Sequence, residues 1–251
     1  MSTAVTTKTQ FTRDQYAEGY APGSEENYWH LARNRILERN VRVLGAGRVL
    51  DIGCGRGILV DYLNKRGMDC YGAELADVEV PAHLQQRIFS GVAAENLPPA
   101  FRNSVEIIVL GDVIEHLAEP VAFLRSLVEA FPGLKGFVLA VPARTELWSN
   151  YDEYYGHYRR YDLAGLRRTA EEAGLSVTGL QYMFRLLYPP ARAILMAGRK
   201  RNTRMGTPGA LRFMHRVAAA LIVADYWLLP ARIYGTSVIC RATIIHSAVN
   251  S

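Results

Sequence analysis

Short apolar runs alternate with longer stretches of apolar residues at helical spacing along this 251-residue chain. The short runs are rich in Val, Ile and Leu, and this pattern predicts buried strands with helices between them. The predicted strands are 47–52, 68–73, 86–90, 105–110, 136–141, 175–182 and 236–245. Strict alternation of strands with helices favours an α/β fold with a doubly wound, mostly parallel sheet.

Two helical regions are predicted to flank this sheet in a single domain that spans residues 1–251. Residues 1–45 are expected to form a cover whose first part is loose, with Tyr16 and Tyr20 as anchors and a helix from near Ser24. Residues 183–235 are too long for a structureless connection. They predict a helical insertion over the substrate side of the sheet, with helices at 189–199 and 209–229.

A glycine-rich turn follows the first predicted strand, at Gly53, Gly55 and Gly57. Strand, glycine turn and helix in this order hold a nucleotide-like ligand against backbone N–H groups. Asp51 precedes the turn, where a carboxylate would repel a pyrophosphate but would accept hydrogen bonds from an ammonium group. Glu74 ends the second strand, a usual position for an acid that binds ribose hydroxyls. A ribose joined to an amino acid indicates S-adenosylmethionine.

Four motifs in order then identify a family resemblance, and the Glu74 just described is the second of them. The other motifs that carry this resemblance are Val-Leu-Asp-Ile-Gly-Cys-Gly-Arg-Gly at 49–57, Ala-Glu-Asn-Leu-Pro at 94–98 and Gly-Asp-Val-Ile-Glu-His-Leu at 111–117. The chain resembles class I S-adenosylmethionine-dependent methyltransferases of quinone and natural-product synthesis. The resemblance implies a seven-stranded Rossmann-like sheet whose last strand is antiparallel. It also implies methyl transfer from S-adenosylmethionine to oxygen, nitrogen or carbon of a small or amphipathic organic acceptor, with S-adenosylhomocysteine as product.

The resemblance also places the cofactor. The cofactor-binding candidates are Trp29, Arg33, Asp51, Gly53, Cys54, Gly55, Glu74, Leu75, Ala94, Glu95, Asp112 and Val113. Two of them keep an alternative, since Arg33 also fits a structural role and Asp112 also fits a helix N-cap. Ala93 stands where many relatives have an Asp that holds the adenine, so that contact is expected from Glu95 or its neighbours.

A strip of five tyrosines, one histidine and two arginines over residues 151–162 is the candidate acceptor site. His157 is the candidate general base, because the pKa of histidine lies near neutrality, and Tyr155 is a second catalytic candidate. The substrate-binding candidates are His116, Tyr154, Arg159 and Arg160. A lid stacked on itself without proton transfer fits the strip equally well, and His116 also fits a structural role.

Composition adds few constraints. Three scattered cysteines fit neither a disulfide framework nor a zinc site, and no acid and histidine cluster has ligand spacing, so no metal is predicted. The N-terminus is polar, without a signal peptide pattern, and no apolar run is long enough to span a bilayer. These features favour a cytoplasmic protein.

Charge is unevenly distributed around the net value of +5. Residues 1–150 carry 15 basic and 18 acidic side chains, whereas residues 151–251 carry 14 basic and 6 acidic ones. Three interpretations fit the basic, apolar insertion: a pocket wall for an anionic or lipid-like acceptor, peripheral contact with an anionic membrane, or a homodimer interface. A nucleic acid partner is not expected, because no nucleic-acid-binding module is recognisable.

Two other classes of function remain open. A non-catalytic S-adenosylmethionine-binding or membrane-surface protein would share the cofactor motif. A nucleotide-dependent oxidoreductase fits less well, because Asp51 precedes the turn and Ile58 stands where a dinucleotide fingerprint has its third glycine.

Overall fold

A computed structural model describes residues 12–21, 23–201 and 209–245 of the chain. The first part of the predicted N-terminal cover, residues 1–11, and residues 202–208 of the predicted insertion lie outside the described residues. Within the described ranges, no helix is both long and apolar enough to cross a bilayer.

Seven strands form one sheet in the order β3-β2-β1-β4-β5-β7-β6. They are β1 (Arg48–Ile52), β2 (Cys70–Glu74), β3 (Ile88–Ser90), β4 (Val105–Gly111), β5 (Gly136–Pro142), β6 (Leu175–Met183) and β7 (Ser237–Ile244). Strands β1 to β5 pair in parallel, and β7 runs antiparallel to both β5 and β6. The predicted fold class, with an antiparallel last strand, is confirmed.

Helices cover both sides of this sheet. They are α1 (Arg13–Gly19), α2 (Tyr28–Leu44), α3 (Ile58–Asn64), α4 (Pro99–Arg102), α5 (Pro120–Ala130), α6 (Asn150–Tyr155), α7 (Leu163–Glu172), α8 (Tyr188–Met196) and α9 (Arg212–Leu228). Alternate residues of β1 supply the two cores: Leu50 packs into one hydrophobic cluster, and Val49 packs into the other, which contains Ile36 of α2. Burial on both faces explains why β1 is apolar up to Asp51.

Two expectations about the N-terminal cover were wrong. Residues predicted to be loose include the helix α1, which is stabilised by a capping box between Thr12 and Gln15. The next helix begins at Tyr28 and not near Ser24, since Ser24–Glu26 form only a 3-10 turn. The side chain of Asn27 accepts from the backbone N–H of Trp29 at 2.9 Å and is the N-cap of α2.

The insertion leaves the sheet after β6 and returns at β7. Because β6 and β7 pair antiparallel with Met183 opposite Ser237, both ends of the insertion lie at the edge where β1 to β5 also end. The helices are shorter than predicted: α8 ends at Met196, two residues before Gly198 in a left-handed conformation, and α9 is preceded by a 3-10 turn. Helix α9 packs on α2.

Candidate active site

The glycine turn after β1 has a backbone geometry that favours glycine. Gly53, Gly55 and Gly57 have φ values of 73°, 54° and 83°, in the left-handed region. A Cβ on Gly53 would lie 2.7 Å from a methyl group of Val113, and one on Gly55 would lie 2.0 Å from the hydroxyl oxygen of Tyr20. The turn therefore presents bare backbone, with side chains from two other segments against it.

Asp51 lies at the carboxyl end of β1 and is only 4% exposed. Burial raises the pKa of this carboxyl to about 7, Arg33 opposes the rise, and Glu74 and Asp112 add to it. Strands β2, β1 and β4 are neighbours in the sheet, so their terminal acids share one cleft. A cation that entered this cleft would favour the ionised form of Asp51.

Glu74 is the best-bonded acid of the cleft. Its carboxylate accepts from the backbone N–H of Gly55 at 2.8 Å, from that of Ala76 at 3.0 Å and from the hydroxyl of Tyr16 at 2.9 Å. Tyr16 and Tyr20 of the α1 segment have stacked rings with centroids 6.0 Å apart. The N-terminal segment therefore covers the glycine turn, as the two predicted anchors suggested.

Arg33 of α2 makes an ion pair with Asp112, with nitrogen and oxygen 3.0 Å apart. Gly111 makes room for it, because a Cβ there would lie 2.1 Å from the guanidinium. The ring of Trp29 lies 5.1 Å below the same guanidinium. The alternative for Asp112, a helix N-cap, is not seen, because the following 3-10 turn Ile114–His116 has no side-chain cap.

The other cofactor candidates lie around this cleft. Cys54 is buried in the turn, and its Sγ would be 2.5 Å from a Cβ on Gly72. Burial also raises the pKa of the Cys54 thiol, which fits a packing role. Ala94 is buried, and Glu95 accepts from the hydroxyl of Ser126 at 3.3 Å. Leu75 directly follows β2. The cofactor roles of all these residues stay predictions.

The tyrosine strip begins as a short helix, α6. Ser149 and Asp152 form a capping box at the start of α6, and Gly156, with φ of 70°, ends it. The ring of Tyr155 packs on those of Tyr151 and Tyr154, with centroids 4.6 and 5.0 Å away. Burial raises the pKa of Tyr155 to about 12. Half of the strip therefore does stack on itself.

Asp152 organises the other half of the strip. Its carboxylate is fully buried and accepts from Nε and Nη2 of Arg160, at 2.7 and 3.0 Å, and lies 2.9 Å from Nδ1 of His157. These contacts lower the pKa of Asp152 to about 2 against the effect of burial. His157 is thus held by an ionised carboxylate, the usual arrangement of a histidine that exchanges protons or binds a ligand.

Some of the substrate-binding candidates already make hydrogen bonds within the protein. Arg160 also donates to the carbonyl of Ala143 at 2.9 Å, which uses its remaining Nη1 group. Arg159 donates to the carbonyls of Leu117 and Ala118. The backbone carbonyl of Tyr154 accepts from Gln15 of α1. A cleft of about 450 Å³ lies beside this region, lined by Arg144, Arg159, Arg160, Tyr161 and Arg168 among others.

His116 meets His157 across the end of β4. The two rings are 4.6 Å apart and nearly perpendicular, and the backbone N–H of Tyr158 donates to the carbonyl of Glu115 at 2.8 Å. Burial and the adjacent His157 lower the pKa of His116 to about 3, although hydrogen bonds to the backbone of Tyr155 and Gly156 oppose this. The His116 ring is therefore neutral.

Sequence reasoning missed two residues at this site, Glu115 and Asp152. A capping-box pattern from Ser149 to Asp152 was present and points to the start of a helix, but not to the burial of its acid. Glu115 is fully buried, and burial raises the pKa of its carboxyl well above the ordinary range, with Asp112 adding to the rise. Nothing in the local sequence separates it from a surface Glu.

Comparison with known proteins agrees with this geometry. A family model described as "Methyltransferase domain" matches residues 28–180, more than half of the chain. A ubiquinone biosynthesis O-methyltransferase of Cereibacter sphaeroides is 29% identical over 148 residues, which cover 46% of this chain and 60% of that protein. The chain spans about half the length of the curated relatives it matches.

Two solved structures share the fold at 16% identity. Magnesium protoporphyrin IX methyltransferase of Synechocystis, solved with S-adenosylhomocysteine, covers 92% of this chain and 91% of its own, with a TM-score of 0.53. The 1,6-didemethyltoxoflavin-N1-methyltransferase of Burkholderia thailandensis, also with S-adenosylhomocysteine, covers 92% and 84%, with a TM-score of 0.54. The chain belongs to the methyltransferase domain family, and its predicted membership of the class I S-adenosylmethionine-dependent methyltransferases is confirmed.

Proposed function

We propose that this protein transfers the methyl group of S-adenosylmethionine to a hydroxyl oxygen of a small amphipathic acceptor. The observation that carries the proposal is His157, whose side chain is 4% exposed and is held by the Asp152 carboxylate 2.9 Å away. Removal of a hydroxyl proton is the step for which such a histidine is useful. Ubiquinone O-methyltransferases among the relatives add support for oxygen as the atom methylated.

The cofactor is bound by the three acids and Arg33. In this proposal the ammonium group of the cofactor's methionine end lies at Asp51. The carboxylate of the same methionine end binds the Arg33 guanidinium and replaces Asp112, which lies 3.0 Å from that guanidinium in this structure. The ribose hydroxyls meet Glu74, whose carboxylate is fixed by the Gly55 and Ala76 N–H groups. These contacts fix the donor methyl group in position, which is the main requirement of the reaction.

The reaction is an in-line displacement. The acceptor oxygen loses its proton with the help of His157 and attacks the methyl carbon. A C–O bond forms, the C–S bond breaks, and its electron pair stays on sulfur as neutral S-adenosylhomocysteine. Such assistance to proton removal typically contributes 10²–10⁴-fold to the rate.

The insertion supports an acceptor with a lipid-like part. One face of α9 packs inward through Ala219, Ile222 and Tyr226. The opposite face is also apolar, because Phe213, Met214, Val217, Leu221 and Leu228 are between 43% and 80% exposed. An ordinary surface helix is polar on that face.

The insertion also carries exposed basic side chains, at Arg216 and Arg232, whereas Arg212 pairs with Glu26, with nitrogen and oxygen 2.6 Å apart. Arginine beside exposed Trp and Leu is typical of helices that lie on anionic membranes. We infer that the face rests on an anionic lipid surface from which a lipid-like acceptor reaches the cleft. The homodimer interface is the competing occupant, and sedimentation of the purified protein distinguishes the two.

A panel of acceptors tests the proposed reaction. S-Adenosylhomocysteine production is measured with a catechol that carries a prenyl tail, the same catechol without the tail, and the corresponding tailed aromatic amine. The tailed catechol is expected to give the highest kcat/KM. Methylation of the amine alone, or of none of the three although S-adenosylmethionine binds in calorimetry, would contradict the proposal.

Two variants refine this test. His157→Ala is expected to keep cofactor affinity within about threefold and to lose 10²–10⁴-fold in kcat. His83→Ala, on an exposed histidine paired with Asp61, is the matched control. For the membrane part, flotation with vesicles of anionic phospholipid should carry the protein upward, and a Phe213→Ser, Leu221→Ser double variant should stay at the bottom. Equal flotation of both proteins would reject the lipid surface.

A further inference from the structure

The structure assigns a divalent metal site to Glu115, His116 and His157. One ligand atom from each of these three residues lies within 4.8 Å of the other two. The inference rests on the proposed hydroxyl methylation and states how His157 assists the loss of the proton: it acts as a ligand of the cation that binds the acceptor oxygen.

Glu115 is the first argument for a cation. Its side chain is fully buried, and in the described part of the chain neither carboxylate oxygen has a hydrogen-bond partner. A buried carboxylate without partners is unfavourable unless a proton or a cation neutralises it. The two guanidinium groups that influence it, those of Arg33 and Arg160, are already paired with Asp112 and Asp152.

The two histidines are the second argument. The Nδ1 of His157 is bonded to the Asp152 carboxylate, which leaves Nε2 as the nitrogen that can bind a metal. A ligating histidine usually donates its other ring nitrogen to a carboxylate, which fixes the orientation of the ring. The ring of His116 is 4.6 Å from that of His157, and a buried, neutral imidazole is the form that binds metals.

Chain topology is the third argument, because it holds the ligands together from two distant segments. Glu115 and His116 lie in the turn after β4, and His157 follows α6. The hydrogen bond from the N–H of Tyr158 to the carbonyl of Glu115 joins the segments at 2.8 Å. Ligands on one metal ion lie about 3 to 4 Å apart, so side-chain movements of roughly 1 Å complete the site.

The donor set indicates the kind of cation. Two imidazoles and one carboxylate suit a first-row transition dication such as Zn²⁺, Mn²⁺ or Co²⁺ better than Mg²⁺ or Ca²⁺, which prefer oxygen ligands. Three protein ligands leave coordination positions for a further oxygen ligand. A hydroxyl bound there loses its proton to solvent water more readily, and the resulting oxyanion attacks the methyl carbon as described above.

Spectroscopy with Co²⁺ tests the site without an acceptor. The protein of 251 residues is treated with EDTA, dialysed and titrated with Co²⁺, whose d–d absorption reports coordination. We expect one equivalent to bind, with at least tenfold weaker binding in Glu115→Gln, His116→Ala and His157→Ala. The His83→Ala control should stay within twofold of the parent. Only variants with the near-ultraviolet circular dichroism and S-adenosylhomocysteine affinity of the parent are compared.

Two results would overturn the assignment. One is parent protein that develops no d–d bands up to 1 mmol per litre Co²⁺, on the order of a thousandfold above a micromolar site. The other is His157→Ala that binds Co²⁺ within twofold of the parent. These results are distinguishable from failure of the proposed reaction. Protein that binds Co²⁺ at this site but methylates no hydroxyl would contradict the reaction and not the metal site.

Discussion

Two parts of this domain are built in different ways: the cofactor edge, where the sheet ends near Asp51, and the acceptor side around His157. Asp51, Glu74 and Asp112 stand at the ends of three neighbouring strands, so the sheet itself fixes their spacing. On the acceptor side, His157 owes its position to a buried carboxylate from α6 and to a hydrogen bond with the turn after β4. The first arrangement follows from the fold, whereas the second depends on a few long-range polar contacts.

This difference teaches where each half is vulnerable. Loss of the Asp51 carboxylate at its strand end should remove a ligand contact and leave the backbone in place. Loss of a polar contact on the acceptor side leaves another buried group without its partner, and the free energy of unfolding falls. The following changes separate the two cases, from the largest expected effect to the smallest.

Asp152→Ala should lower the free energy of unfolding by about 3–5 kcal/mol, because it leaves the buried Arg160 guanidinium unpaired. Urea denaturation followed by circular dichroism measures the change. The control is Glu171→Ala, which breaks the exposed pair with Arg167 and should cost at most about 0.5 kcal/mol. Similar losses in the two variants would show that the acceptor side does not depend on this contact.

Glu74→Gln should weaken S-adenosylhomocysteine binding by about 10–100-fold, since hydrogen bonds to a charged group contribute roughly 1.5–3 kcal/mol. The free energy of unfolding should fall less than in Asp152→Ala, because the amide oxygen of Gln can still accept from a backbone N–H of Gly55 or Ala76. Titration calorimetry at one pH gives the affinity, and Glu79→Gln, on a 91% exposed side chain, is the control. An affinity equal to that of the control would remove Glu74 from the cofactor site.

Cofactor affinity should fall with decreasing pH below about 7, because Asp51, whose pKa is about 7, becomes neutral and no longer attracts an ammonium group. The limit is about tenfold per pH unit. Arg33, Glu74 and Asp112 are the charged neighbours that influence this carboxyl. Calorimetry between pH 5.5 and 8 measures the slope, and Asp51→Asn should flatten it.

Asp51 also makes a signed prediction for stability. Its pKa is raised in the folded protein above the ordinary value of 3.8, so folding favours the protonated carboxyl. The contribution of this group to the free energy of unfolding is therefore largest below pH 4 and is lost as the pH rises from 4 to about 7. Asp51→Asn should gain stability relative to the parent across that window, and no relative gain would contradict the raised pKa.

Asn27→Ala should cost about 1 kcal/mol, because it removes the N-cap of α2. This helix carries Trp29, whose ring stacks on Phe184 of the insertion, and Arg33, which pairs with Asp112. Thermal unfolding measures the loss, with Val43→Ala on the exposed side of the same helix as the control. An unchanged midpoint of thermal unfolding in Asn27→Ala would show that the Asn27 side chain does not stabilise the start of this helix.

The sequence predicts the cofactor edge well, because its signals are local. Gly53, Gly55 and Asp51 lie within five positions, and strand ends place Glu74 beside them. The helix α1 was missed although the pair Thr12 and Gln15 has capping-box spacing. A run of only seven residues is short for periodicity to reveal. Ser24 resembled an N-cap, but the true cap is three residues later.

The acceptor side was harder to predict because its contacts join distant positions. His157 was selected for its chemistry, but nothing near it in the sequence indicates that it would meet Glu115 and His116. The expectation that no metal binds stays a prediction; it came from ligand spacing along the chain, which detects only ligands that are close in sequence, and the metal site proposed above is its alternative. Asp152 was passed over because a charged residue in a polar strip usually lies in solvent.

The antiparallel pairing of β6 with β7 has one further consequence. Met183 and Ser237 are opposite each other, so the insertion between them is a long connection whose two ends are adjacent in an antiparallel strand pair. Doubling the length of such a connection raises the free-energy cost of closing it by only about 0.6 kcal/mol and changes no strand register. Selection for a new acceptor can therefore lengthen, shorten or replace the insertion while the methyl donor continues to bind to an unaltered sheet.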